Sequence, residues 1–273
     1  MAGEEQQKHR KQGKIIAVCS AKGGIGKTLL SVNLSVALSK KNLDVTIVDG
    51  DFQFGDVCLA MDLQPTFTMK DVMDEVDGLN EYTIMNYVTR HSSSVQVLAA
   101  PERPELADLI TSDGIVKGLE TLVLSNDYVV VDTGSGIQGH SLEILEKADE
   151  ILVITNLEMT ALKNTKLILE TFRQIGMGEK VQLIVNRYNM ESLMKAEDIP
   201  SMLGAENPMY IPNNFKLASQ SMNLGIPLVI SQAKSDVSKA IFKMAEQIIS
   251  KRIVKEDGKK RKKSFIHKIL PTH

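Results

Sequence analysis

Ser20-Ala21-Lys22-Gly23-Gly24-Ile25-Gly26-Lys27-Thr28 is the stretch whose reading decides the fold. The apolar run Ile15-Ile16-Ala17-Val18 precedes it and reads as a buried strand. Leu29 to Ser39 follows with apolar residues at helical spacing. Strand, glycine-rich turn and helix are the context that a phosphate-binding loop requires. The glycines let the backbone curl so that successive N–H groups point at one anion. A helix beginning near Lys27 adds the positive end of its dipole. Lys27 is then placed to reach the β- and γ-phosphates of a nucleotide, and the Thr28 hydroxyl to hold Mg²⁺.

Working outward, the chain reads as alternating strands and helices. Val45-Thr46-Ile47-Val48 is a short apolar strand ending at Asp49, and Tyr128-Val129-Val130-Val131 another ending at Asp132. Further strands are expected at Val95 to Ala99, Ile151 to Ile154, Val181 to Val185 and Met209 to Ile211. Helices are expected over 68–76, 81–90, 112–125, 141–147, 160–174, 198–204, 215–224 and 236–249, and Pro101-Glu102-Arg103-Pro104 is expected to be a stiff loop. Several strands are apolar on both faces, which predicts a mostly parallel, doubly wound α/β sheet with helices on both sides. The expected organisation is a polar extension over 1–13, one nucleotide-binding domain over 14–253, and a basic tail over 254–273.

Composition narrows the function. An apolar fraction of 43% over 273 residues supports a sizeable core and excludes general disorder. The two cysteines, Cys19 and Cys58, form no metal or redox spacing, and a cytosolic, reduced protein is expected. No apolar run is long enough to span a bilayer, and the charged N-terminus is unlike a secretory signal. The absence of Trp and the 4% aromatic content argue against a base-stacking nucleic-acid surface. The net charge of −2 is unevenly placed. Lys251 to His273 carries nine Lys/Arg and two Asp/Glu, a net +7, which leaves −9 on the rest. A basic tail on an acidic body points to an anionic partner, a membrane surface or nucleic acid. Within that tail Lys262 and Lys263 are followed by Phe265, Ile266, Ile269 and Leu270, whose spacing puts the apolar side chains on one helical face.

The loop departs from the ordinary P-loop by carrying Ala21 and a second lysine, Lys22, ahead of its glycines. In this it resembles the deviant Walker A motif of the ATPases that position division sites, plasmids, pili and flagella. The resemblance implies ATP/ADP and Mg²⁺ as ligands, with Gly23, Gly24, Ile25, Gly26, Lys27 and Thr28 around the phosphates. It implies an ATP-bound homodimer in which Lys22 reaches the partner's phosphates. Asp49-Gly50-Asp51 matches the family's first switch, which makes Asp51 the residue that orients the attacking water and Asp49 a support of the Mg²⁺ shell or of the dimer. Asp132-Thr133-Gly134-Ser135-Gly136 resembles the second switch, which places Asp132 on Mg²⁺-bound water and the Gly136 N–H toward the γ-phosphate. Asn186 and Arg187 are expected at the adenine, with Pro212 and Asn213 lining the same pocket.

Three stretches, 51–57, 97–105 and 211–214, resemble the pilus-assembly branch, the CpaE/TadZ-type ATPases. Many members of that branch carry an N-terminal receiver-like domain. Only about thirteen residues precede the first strand here, so that module is expected to be absent. The tail resembles the membrane-targeting helix of division-site ATPases and implies a peripheral location on the inner face of the cytoplasmic membrane. The expected function is a slow ATPase that switches between monomer and dimer and localises a Tad-type pilus or secretion machine. The alternatives are a flagellar-number or division-site ATPase, or a DNA-partitioning ATPase that uses the basic tail.

Overall fold

The computed structural model of the protein describes residues 12–137 and 139–269, with side chains to residue 254. In chain order the elements are β1 (Lys14–Ser20), α1 (Lys27–Ser39), β2 (Val45–Gly50), α2 (Val57–Ala60), α3 (Met69–Asp74), β3 (Thr89–Arg90) and β4 (Gln96–Leu98). There follow α4 (Ser112–Ser125), β5 (Tyr128–Ser135), α5 (Ser141–Lys147), β6 (Glu150–Thr155), α6 (Met159–Gln174) and β7 (Val181–Asn186). The chain continues with α7 (Ile199–Leu203), β8 (Met209–Ile211), α8 (Phe215–Leu224), α9 (Leu228–Ser231) and α10 (Asp236–Ile269).

The strands form one sheet in the order β3-β4-β2-β5-β1-β6-β7-β8. Every pairing is parallel except β3 with β4. The alternation of side chains along β1 divides the core in two. Ile15, Ala17 and Cys19 face a cluster built with α3 to α7, whereas Ile16 and Val18 face one built with α1, α2, α9 and α10. Both faces of the sheet are therefore covered, as expected from its doubly apolar strands. Because β1 lies between β5 and β6, the carboxyl ends of β1, β2 and β5 open together into one crevice, where open parallel sheets bind ligands.

One local expectation is corrected. Residues 81–90 form no α-helix, only a single 3₁₀ turn at Ile84–Asn86 before the edge strand β3. The Asn80 carboxamide oxygen accepts from the amides of Tyr82 and Thr83, and the Thr83 hydroxyl accepts from the Asn80 amide. These local bonds compete with helix propagation. The stiff loop at 101–104 leads into a 3₁₀ helix, Pro104–Leu109, which begins on the proline.

α10 crosses the second face from the crevice to the opposite rim of the sheet. Val237 and Ile241 lie beside the crevice. At the far rim Lys251 donates to Glu150 and Gln182, while Arg252 donates to the Asp127 carbonyl and lies over the Tyr128 ring. The same helix continues as backbone through Ile269. The tail side chains of Lys262, Lys263, Phe265, Ile266 and Ile269, and all of Leu270, lie outside the described residues. Among the described residues no helix is long and apolar enough to cross a membrane.

Candidate functional site

The glycine-rich loop closes over the N-terminus of α1. Gly24 and Gly26 have φ of 74° and 95°, a region that strains any residue with a Cβ. At Gly26 the space is also taken, since a Cβ would lie 2.7 Å from Asn186 Nδ2. The first helical bond runs from the Leu30 amide to the Gly26 carbonyl, which leaves the preceding amides facing the crevice. A cavity of about 470 Å³ opens here, lined by Lys22, Gly24, Ile25, Gly26, Lys27, Thr28, Asp51, Ser135 and Arg187. Most of the residues singled out in the sequence therefore meet around one hollow.

Two acids lie beneath it, side by side on adjacent strands, with Asp49 of β2 in register with Asp132 of β5. Both are almost fully buried. Burial raises the Asp132 pKa above the usual carboxylate range, opposed by the Lys27 charge and by hydrogen bonds from Thr28 and Ser31. The Ser31 hydroxyl donates to Asp132 Oδ1 at 2.8 Å. Lys27, Thr28 and Asp132 thus form a compact group with a hydroxyl, a carboxylate and a cation, a donor set that fits Mg²⁺ and a polyphosphate.

Asp49 differs from its expected role. Its Oδ1 accepts from the Asp51 amide at 3.3 Å and its Oδ2 from the Val57 amide at 3.0 Å. Burial first, and then the neighbouring Asp132 charge, push its pKa well above the usual range. Its carboxyl is turned to the loop over 51–57 as a brace. Gly55 closes that brace, because a Cβ there would come within 2.4 Å of Asp49 Oδ2. Asp51 does reach the hollow, while its Oδ1 accepts from the Phe54 amide at 3.2 Å.

Three further expectations change. The Gly136 N–H donates to the Ser20 carbonyl at 2.8 Å, and so is committed to the protein. Asn186 donates from Nδ2 to the Ile25 carbonyl at 2.7 Å, and its Oδ1 accepts from the Arg187 amide at 3.0 Å. The amide expected to read adenine therefore braces the phosphate loop. Pro212 and Asn213 do line a hollow with Asn186, Arg187 and Phe215, but its volume is about 30 Å³, room for about one water.

Lys22 has a partner that the sequence did not disclose. Its ammonium meets Glu158 Oε2 at 2.5 Å and the Thr160 hydroxyl at 3.3 Å. Glu158 precedes α6, and its other oxygen accepts from the Asn156 side-chain Nδ2 at 3.0 Å. Lys22 first, and then Asn156, hold the Glu158 carboxyl below its usual range. The signal present in the sequence is the pair Asn156 and Glu158 just after an apolar strand, beyond the end of β6, whereas Asp49 and Asp132 lie within β2 and β5. Among the described residues no cluster of three His, Cys, Asp or Glu could hold a metal by itself. Burial raises the pKa of both cysteines to about 12, so neither is a reactive thiolate.

Comparison with known proteins agrees with this construction. The family model described as AAA domain matches residues 13–185. A septum site-determining protein MinD of Thermotoga maritima is 26% identical over 244 residues, covering 86% of this chain and 88% of its own. A ParA family ATPase of Chlorobium tepidum superposes with a TM-score of 0.80 at 22% identity, covering 86% of this chain and 98% of its own. The MinD of Pyrococcus horikoshii, solved as a complex with Mg-ADP, superposes with a TM-score of 0.77 at 23% identity, covering 86% and 96%.

Proposed function

The chain belongs to the AAA domain family and is a P-loop ATPase of the ParA/MinD type, and from that premise we propose that it is an ATP-driven positional switch that localises a Tad-type pilus or secretion machine. The observation that carries the switch is Lys22. It stands at the mouth of the phosphate hollow, beside a complete set of cis groups in Lys27, Thr28 and Asp132. A second lysine at that mouth can reach a nucleotide held by another copy once it leaves Glu158 and Thr160. In this reading the loop amides and Lys27 hold the β- and γ-phosphates, and Thr28 and Asp132 hold Mg²⁺. Bound Mg²⁺ neutralises phosphate charge. Asp51 orients the attacking water, a positioning role for which one carboxylate is sufficient. Lys22 completes the partner's site, so ATP joins two subunits and hydrolysis separates them. The tail places the dimer on the inner face of the membrane, where two weak anchors act together.

The pilus assignment is supported by the stretches 51–57, 97–105 and 211–214. A division-site role is equally well supported, by the septum site-determining relative. One experiment separates them. Asp51→Ala protein, which retains ATP, is captured from its own cells in the presence of ATP and its companions are identified by mass spectrometry. Pilus secretion ATPase or platform proteins are expected, whereas septum proteins would overturn the pilus assignment and keep the switch. Lys22→Ala is expected to lose ATP-dependent dimerisation in light scattering. A variant that still dimerises fully removes the trans role of Lys22.

A further inference from the structure

We propose that the Ser135 hydroxyl is a contact for the terminal phosphate that lets this site tell ATP from ADP, an inference that rests on the ATP-switch reading above. Ser135 ends β5, three residues beyond Asp132, and lines the same hollow as Lys22, Lys27, Thr28 and Asp51. Its Oγ lies 3.5 Å from where a Cβ on Gly23 would be, against the turn of the phosphate loop. The neighbouring Gly134 lies under Asp51, whose Cγ is 3.8 Å from the corresponding Cβ position. Ser135 is therefore at the Asp51 end of the hollow, away from Asn186 and Pro212. That is where a third phosphate differs from none.

The backbone that carries the hydroxyl is held on both sides. The register of β1 against β5 shifts between Val18 and Ser20, which brings Ser20 opposite Ser135. The Thr133 hydroxyl fixes this shift by donating to the Val18 carbonyl at 3.0 Å. The Gly136 amide donates to the Ser20 carbonyl, and the Ser20 hydroxyl to the Lys22 carbonyl at 2.9 Å. The device is a rigid strand end presenting one adjustable donor. Since the Gly136 N–H is engaged with Ser20, the exposed Ser135 hydroxyl is a donor of this segment that faces the hollow. A hydroxyl hydrogen bond to a phosphate oxygen is charge-assisted, and it exists only when the third phosphate is present.

The test uses the full chain with Mg²⁺, titrated by calorimetry with AMPPNP and with ADP. Hydrogen bonds to charged groups are worth enough that Ser135→Ala should weaken AMPPNP about tenfold or more. ADP affinity should stay within about twofold, and Ser135→Thr, which keeps the hydroxyl, should retain the original ratio. The ADP measurement reports whether the site is still folded. An unchanged AMPPNP-to-ADP ratio in Ser135→Ala, or an equal loss for both, overturns the role of the serine alone. A parent chain that bound neither nucleotide would overturn the switch reading together with it.

Discussion

Glu158→Gln should make the protein dimerise more readily with ATP. Glu158 and Thr160 hold the Lys22 ammonium, which must leave them to reach a phosphate in another subunit. The strength of that clasp sets the size of the effect. The two side chains are 41% and 40% exposed, so solvent screens the pair heavily. An exposed pair is worth about 0.2–1 kcal/mol, at most about fivefold in an equilibrium constant. Two clasps open per dimer, so the dimerisation constant should rise by up to about 25-fold. Light scattering across a concentration series with AMPPNP and Mg²⁺ measures it. Salt provides an internal check. Raising the ionic strength weakens an exposed pair, so the parent protein should approach the variant while the variant itself changes little. Equal or weaker dimerisation by Glu158→Gln would refute the clasp and assign the Glu158 carboxylate to the assembled dimer instead.

Asp49→Ala should lose about 1–3 kcal/mol in urea unfolding for each of the Asp51 and Val57 amides it leaves without an acceptor, whereas Asp49→Asn keeps one acceptor oxygen and should lose less. The Asp49 pKa is raised on folding, so the native state binds this proton more tightly than the unfolded chain. Its contribution is present below the unfolded carboxylate range and is lost as pH rises through the folded value. The stability of Asp49→Asn relative to the parent should therefore increase with pH, and a flat difference would remove the buried neutral acid. Asn186→Ala should weaken ATP and GTP alike, since it frees the Ile25 carbonyl of the phosphate loop. A change confined to ATP over GTP would restore the adenine-reading role.

How far the sequence discloses this protein depends on whether the signal is local. The phosphate loop was legible because strand, glycines, Lys27 and helix are contiguous, and β1 and α1 lie where the apolar pattern placed them. The strand ends at Asp49 and Asp132 were legible for the same reason. What escaped is pairing across distance. Lys22 and Glu158 are 136 residues apart, and Asn186 and Ile25 are 161 apart. No periodicity joins such residues. The roles carried over for Gly136 and Asn186 were chemically suitable, but each group is already occupied by a backbone partner that only the folded chain supplies. The short edge strand β3 was missed because two residues are too few for a period-two pattern to register.

The paired acids show why a motif match does not assign roles by itself. Asp49 and Asp132 end neighbouring strands in register and both are buried, so their charges disfavour each other. Their surroundings divide them. Asp132 has the Lys27 charge and the Thr28 and Ser31 hydroxyls, all of which favour its ionised form. Asp49 has backbone amides in its favour, with Asp132 and Asp51 as charges against it. Burial raises the pKa of both carboxyls, so what separates them is the set of partners each one faces. Asp132, with a cation and two hydroxyls around it, is the one equipped to carry a negative charge beside Thr28. Asp49, held toward its neutral form, fixes the loop that carries Asp51. In the Asp-x-Asp pair one acid thus braces the loop that carries the other, and the proposed water-orienting role of Asp51 depends on that brace.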